Sequence, residues 1–127
     1  IDLIVCSPLS RTLQTYLLTI DHLVRSSKFA AIPLIIHPDL QEVCSVPCDV
    51  GRSVEDLKRD FPSLNEPLET FRQTFGDDEW REKNQRESFY HPDRIDERAR
   101  RIRQWLIDRP EERILVISHN LMIQALF

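Results

Sequence analysis

The sequence is poor in cysteine, and the three that it has, Cys6, Cys44 and Cys48, form an odd and unevenly spaced set. Such a set does not fit the disulfide framework of a small secreted domain. We therefore expect a reducing, intracellular setting, that is, the cytoplasm. Cys44 and Cys48 could form half of a zinc site, but a second ligand pair at comparable spacing is missing, so we predict no metal and no other cofactor.

Long apolar runs and an excess of positive charge are also missing. The longest apolar stretches, such as Ile114 to Ile117, have the length of a strand, whereas a membrane span needs ~20 apolar residues. The formal net charge is -4, and both nucleic acids and anionic membranes attract basic surfaces. The arginines between Arg98 and Arg103 lie beside Glu97 and Gln104, which favours a solvated helix face. We therefore expect neither a nucleic acid nor a membrane as partner.

What the sequence does contain is an alternation of strand-like and helix-like segments. With 41% hydrophobic and 30% charged residues, the chain has the composition of one soluble globular domain. Apolar runs predict short strands, the first of them buried and parallel, over residues 1–6, 33–37 and 114–117. Start signals and apolar stripes predict helices over residues 8–24, 54–61, 94–109 and 121–127. The alternation indicates an α/β fold, a three-layer α/β/α sandwich.

Two of these helices have explicit start signals. Ser7 is expected to cap the first helix and Pro8 to open it, with an apolar stripe formed by Leu9, Leu13, Leu17, Ile20, Leu23 and Val24. Asp93 is expected to cap the helix over 94–109. Its apolar stripe is Ile95, Ala99, Ile102 and Leu106, and the side chains expected to face water are Arg94, Glu97, Arg98 and Arg101.

Residues 63–90 lack a sustained periodicity. This segment contains Pro67, many charges and scattered aromatic residues. We predict that it is an insertion or a lid within a domain that spans residues 1–127.

Three polar residues follow predicted strands. Arg11 comes after the first strand, Glu42 after the second and His119 after the last. Ligands gather at the carboxyl ends of parallel strands, and an arginine fork beside an imidazole suits the oxygens of a phosphoryl group. The sequence therefore predicts a phosphate site. The alternatives are a surface ion pair for Arg11 and a solvated loop position for Glu42, with Asp39 and Asp49 as competitors for the role of the acid.

Two separated motifs point to a known family. The pattern S-P-x-x-R-x-x-Q-T and a later S-H are met by Ser7, Pro8, Arg11, Gln14, Thr15, Ser118 and His119. With these motifs the chain resembles the histidine phosphatase superfamily, the phosphoglycerate mutase-like proteins. The R-H-G tripeptide that carries the family's phosphorylated histidine does not occur in this sequence. We therefore expect that the chain is an N-terminally truncated fragment. Its phosphoglycerate mutase-like domain would be incomplete, because the first strand and the C-terminal end of the domain are missing.

The resemblance implies a phosphatase that works through a phosphohistidine in the complete parent protein. The alternatives are a phosphoglycerate mutase-type phosphomutase and a non-catalytic relative that binds a phosphorylated ligand or a protein. Glu42 and His119 are the implied catalytic residues. The implied phosphate or substrate contacts are Arg11, Ser7, Asn120 and Asp49. The implied partner is a small phosphorylated metabolite, no cofactor is implied, and the fragment alone is expected to be inactive.

Overall fold

A parallel sheet of three strands forms the centre of the molecule in the computed structural model, which describes residues 1–22 and 32–127. The strands are β1 (Leu3–Cys6), β2 (Leu34–Ile36) and β3 (Ile114–Ile117). They lie in the order β2-β1-β3, so β1 is hydrogen-bonded on both sides. The three strands predicted from the apolar runs are thus confirmed.

The register of the sheet brings the carboxyl ends of all three strands together. Cys6, the last residue of β1, lies opposite Ile36 of β2 and Ile117 of β3. Parallel strands that end at the same level form a common edge, at which the residues that follow each strand can meet.

Five α-helices surround the sheet within the described residues. They are α1 (Ser10–Thr15), which continues as a π-helical turn over Tyr16–Asp21, α2 (Val54–Asp60), α3 (Asn65–Phe75), α4 (Ile95–Ile107) and α5 (Asn120–Leu126). Short 3₁₀ turns lie at Pro38–Leu40, Pro47–Asp49, Pro62–Leu64, Glu79–Arg81 and Pro92–Arg94. No helix of the described residues is long and apolar enough to cross a membrane.

Apolar side chains pack on both faces of β1, because successive residues of a strand point to opposite sides. Ile4 and Cys6 belong to one cluster of buried residues, to which α1, α2 and α3 contribute. Leu3 and Val5 belong to a second cluster, to which α4 and α5 contribute. All four residues of β1 are buried, so this strand is shared by both parts of the core.

The first helix starts later than predicted. Leu9 is its N-cap residue and has an extended backbone, and the helix begins at Ser10. The hydroxyl of Ser7 accepts the Leu9 N–H and lies next to a histidine ring, so Ser7 does not cap the helix. In the predicted stripe Leu9 and Leu13 are buried, and Leu17 and Ile20 pack against the core, whereas Leu23 and Val24 lie outside the described residues.

Helix α4 also differs from its prediction in one important side chain. Its apolar stripe is confirmed, because Ala99 and Ile102 are buried and Ile95 and Leu106 pack against them. Arg98, however, is only 1% exposed, so the expectation that it faces water was wrong. It follows Ile95 by three residues and precedes Ile102 by four, and therefore lies on the buried side of the helix.

The segment over residues 63–90 is well packed. It contains helix α3 and contributes Leu64, Leu68, Phe71, Trp80 and Tyr90 to the first apolar cluster. Its role as a lid stays a prediction.

Candidate functional site

Ser7 and His119 meet where β1 and β3 end. The Ser7 N–H donates to the carbonyl oxygen of Ile117 at 2.9 Å, which extends the pairing of the two strands by one residue. The Nε2 atom of His119 then lies 2.8 Å from the hydroxyl oxygen of Ser7. Ser7 is fully buried and His119 is 6% exposed. The sequence motifs that were 112 residues apart are therefore in direct contact.

Burial and positive charge keep the imidazole of His119 neutral. Desolvation is the largest cause, and the charges of Arg11 and Lys83 add to it, so that the pKa of His119 falls to about 4. A neutral imidazole carries one N–H donor and one acceptor nitrogen. At neutral pH, the ring therefore has one N–H hydrogen to donate. It becomes positively charged only when a nearby anion offsets the effect of burial and of the neighbouring cations.

Arg11 lies in the first turn of α1 and contacts residues beyond β2. One guanidinium nitrogen donates to the carbonyl oxygen of Cys48 at 2.6 Å, and another lies 2.9 Å from the carboxylate of Asp49. Its side chain is still 43% exposed. Arg11 thus takes part in an ion pair, as the simpler sequence interpretation proposed, but its partner is itself one of the predicted site residues.

Glu42 and Asp49 stand at the two ends of residues 42–49, called the 42–49 loop below. Glu42 is half-buried, and its carboxylate accepts the N–H of Val43 at 2.9 Å. In the described part of the chain, no Arg, Lys or His side chain lies within ion-pair distance of that carboxylate. The two competing carboxylates are both paired, Asp39 with Arg101 and Asp49 with Arg11. Among the described residues, Glu42 is therefore the member of this group that forms no ion pair.

Asn120 is the first residue of α5 and is exposed. Its side-chain oxygen accepts a hydrogen bond from Gln124, one turn further along the same helix, at 3.1 Å. A phosphate contact of Asn120 stays a prediction.

Two buried cations were missed by the sequence analysis. The ammonium of Lys83 donates to backbone carbonyls of the 42–49 loop, and a guanidinium nitrogen of Arg98 lies 3.4 Å from the carbonyl oxygen of Glu42. Burial and the nearby charge of Arg98 lower the pKa of Lys83 to about 7. Lys83 follows Trp80 in an irregular segment, where periodicity gives no signal, but the helical spacing of Arg98 between Ile95 and Ile102 could have revealed its burial.

The gathered groups suit an anion better than a metal ion. The charges of Arg11, Lys83 and Arg98 all lower the pKa of His119, so the surroundings of the ring favour a negatively charged group. Among the described residues there is no group of three or more His, Cys, Asp or Glu side chains that could hold a metal ion. An exposed arginine, a buried histidine and an unpaired carboxylate can bind a negatively charged group and exchange a proton with it.

A parallel α/β sheet with such residues at its strand ends is typical of the class of proteins that bind a ligand at that edge of the sheet. A family model, the Histidine phosphatase superfamily (branch 1), matches residues 1–127. The chain belongs to this superfamily. No curated protein and no solved structure matches the chain.

Proposed function

We propose that the protein is a phosphatase that hydrolyses a small phosphorylated metabolite through a phosphohistidine, in an intracellular, metal-independent reaction. The observation that supports this most is the meeting of Ser7 and His119 at the ends of β1 and β3, with the charge of Arg11 acting on the same histidine. These residues come from the two motifs of the family pattern, and membership of the superfamily agrees with phosphoryl chemistry.

In this proposal each residue has a distinct role. Arg11 binds two oxygens of the phosphoryl group with its planar fork. His119 donates a hydrogen bond to a third oxygen and gains positive charge as negative charge accumulates in transfer. Glu42 protonates the leaving oxygen and later activates the water that hydrolyses the intermediate. Asp49 orients Arg11 or a substrate hydroxyl, while Ser7 and Asn120 line the phosphate position.

The nucleophile is proposed to lie outside residues 1–127. None of the four histidines belongs to an R-H-G tripeptide, so this chain by itself is expected to be inactive. A further strand that carries the nucleophile would complete the sheet of a three-layer sandwich. A phosphomutase is the alternative reaction, because both activities begin with the same transfer to histidine.

The test uses the complete natural protein and p-nitrophenyl phosphate as substrate. Acid-labile, alkali-stable phosphate on the protein after quenching would support a phosphohistidine. Arg11→Ala and His119→Ala should each lower kcat/KM by at least about a hundredfold. Glu42→Gln should slow alkyl phosphates far more than p-nitrophenyl phosphate, because only the alkoxide needs a proton to leave.

Unchanged rates in all three variants would contradict the site assignment. A complete protein that lacks turnover and phosphoenzyme but binds phosphorylated ligands through Arg11 would instead support the non-catalytic alternative.

A further inference from the structure

Lys83 carries a buried amino group, and its hydrogen-bond partners among the described residues are backbone oxygens. Its side chain is 0% exposed. The Nζ atom donates to the carbonyl oxygen of Glu42 at 2.7 Å, to that of Cys44 at 3.2 Å and to that of Asp49. An ammonium group has three N–H donors, so these carbonyls use all of them. No carboxylate of the described residues lies within ion-pair distance of Lys83.

Burying an ammonium group costs desolvation free energy unless hydrogen bonds within the protein replace those that it made to water. The compensation here comes from the 42–49 loop, whose regular structure is a single short turn at Pro47–Asp49. Carbonyl groups of such a loop need donors from elsewhere when they are buried. The single side chain of Lys83 donates to the carbonyls of Glu42 and Asp49, at the two ends of the loop, and to that of Cys44 between them. Such an arrangement is expected of a group that determines the conformation of the loop.

Further contacts hold the backbone near Lys83 and the loop itself. Trp80, three residues before Lys83, accepts a hydrogen bond from the side chain of Gln41 at 2.7 Å through its carbonyl oxygen. Arg11 donates to the carbonyl of Cys48, and a guanidinium nitrogen of Arg98 lies 3.4 Å from the carbonyl oxygen of Glu42. Lys83 is the side chain among these that contacts both ends of the loop.

We propose that Lys83 is a positioning residue, which holds the backbone of the 42–49 loop and thereby places Glu42 and Asp49 at the phosphate site. For its catalytic consequence this inference rests on the proposed function. Lys83 acts through the loop, whereas Arg11 and His119 contact the phosphoryl group.

The kinetic test is a double-mutant cycle in the complete protein, with an alkyl phosphate such as glycerol phosphate as substrate. Lys83→Met removes the ammonium and keeps a side chain of similar length. Its kcat/KM should fall about tenfold or more when Glu42 is present and by a clearly smaller factor in the Glu42→Gln background, where only the effect through Asp49 remains. A purely structural role would produce the same loss in both backgrounds, and this outcome would overturn the proposal.

Lys58→Met is the matched control, because Lys58 pairs with Glu69 between α2 and α3, away from the loop. It should leave kcat/KM unchanged in both backgrounds. If Lys83→Met does not fold, Lys83→Arg serves the same cycle. A planar guanidinium keeps the charge but cannot direct its donors at three carbonyls as an ammonium does, so the same non-additive loss is expected.

Hydrogen exchange provides a readout that needs no activity. In the folded Lys83 variant, amides of residues 42–50 should exchange about tenfold faster or more, while those of α4 should not change. Unchanged exchange in the loop would overturn the proposal even if the enzyme were active. If the wild-type protein showed no turnover, the proposed function would be contradicted. Hydrogen exchange of the loop amides would then still decide whether Lys83 holds the loop.

Discussion

At the scale of single residues, His119 and His37 form a natural pair for comparison. Burial is the main cause that lowers the pKa of each to about 4. His119 lies beside Ser7 at the candidate site, whereas His37 lies at the exit of β2 and accepts the N–H of Asp39. The two rings therefore share an environment of low polarity but differ in their neighbours, and only His119 belongs to the candidate site.

We expect a bound dianion to raise the pKa of His119 and to leave that of His37 unchanged. Inorganic sulfate is the probe, because it stays doubly charged across the range of the titration. A dianion within about 4–6 Å favours the imidazolium form, so sulfate binding takes up a proton, and its affinity should rise as the pH falls from 6.5 towards 4. NMR titration of both ring protons, with and without sulfate, measures this. Equal shifts in the two histidines would contradict the site.

Gly51 gives a second prediction at this scale. A β-carbon at this position would lie 2.1 Å and 2.5 Å from ring atoms of Trp80. Gly51→Ala should therefore force the indole to move and cost about 1–3 kcal/mol of unfolding free energy, as measured by urea unfolding.

Gly76→Ala is the control for Gly51→Ala. Gly76 has a φ of 78° but nothing within 4 Å of the added carbon, so its cost comes from the backbone alone. Trp80→Leu should reduce the penalty of Gly51→Ala and not that of Gly76→Ala. Equal penalties for Gly51→Ala in both backgrounds would show that the indole is not the obstacle.

At the scale of elements, an ion pair between a buried carboxylate and a half-exposed guanidinium connects the exit of β2 to α4. Asp39 is 0% exposed and accepts two hydrogen bonds from the guanidinium of Arg101, which also stacks over the ring of Phe89 at 3.5 Å. Replacing one partner leaves the other without its counter-charge. This pair therefore connects α4 to the turn that leads to the 42–49 loop.

We expect Arg101→Met to lower the unfolding free energy by about 3 kcal/mol, because it leaves the buried carboxylate of Asp39 without its counter-charge. Arg113→Met is the control, because the pair of Asp2 with Arg113 is exposed and should contribute little. Urea unfolding of both variants measures the difference. A similarly small effect in the two variants would mean that water replaces the arginine partner of Asp39 as readily as it replaces that of Asp2.

The elements differ in how well the sequence predicted them. Strands β1 and β3 were found because apolar runs of this length have few alternatives. Helix α3 was missed because Pro67 was interpreted as an interruption. It is the third residue of the helix, in the first turn, where a missing N–H is tolerated. At the candidate site, motifs singled out Ser7, Arg11 and His119, and the structure brings Ser7 and His119 into contact. Lys83 depends on tertiary contacts that no local pattern records.

At the scale of the whole molecule, the two apolar clusters have β1 in common. Trp80 belongs to the first cluster and Trp105 packs against the second, so each tryptophan reports on one side of the sheet. If β1 leaves the sheet, the apolar side chains of both clusters become exposed to water. We therefore expect the two clusters to unfold together.

The prediction is a single unfolding midpoint seen by both tryptophans. Trp105→Phe leaves Trp80 as the fluorescent probe, and Trp80→Phe leaves Trp105. Each variant has its own stability, so the fluorescence of each should be compared with its own circular dichroism, and the two transitions should coincide. Separate midpoints for the fluorescence and the backbone signal in either variant would contradict the shared strand.

The central position of β1 also affects how the protein loses ligand binding when it is heated. Ser7 directly follows a strand that is hydrogen-bonded on both sides and buried on both faces, and Arg11 follows within the next few residues. The backbone at this end of the site therefore opens only when the sheet itself opens. Loss of ligand binding on warming should coincide with global melting, so a more thermostable fold would directly become a more heat-resistant site.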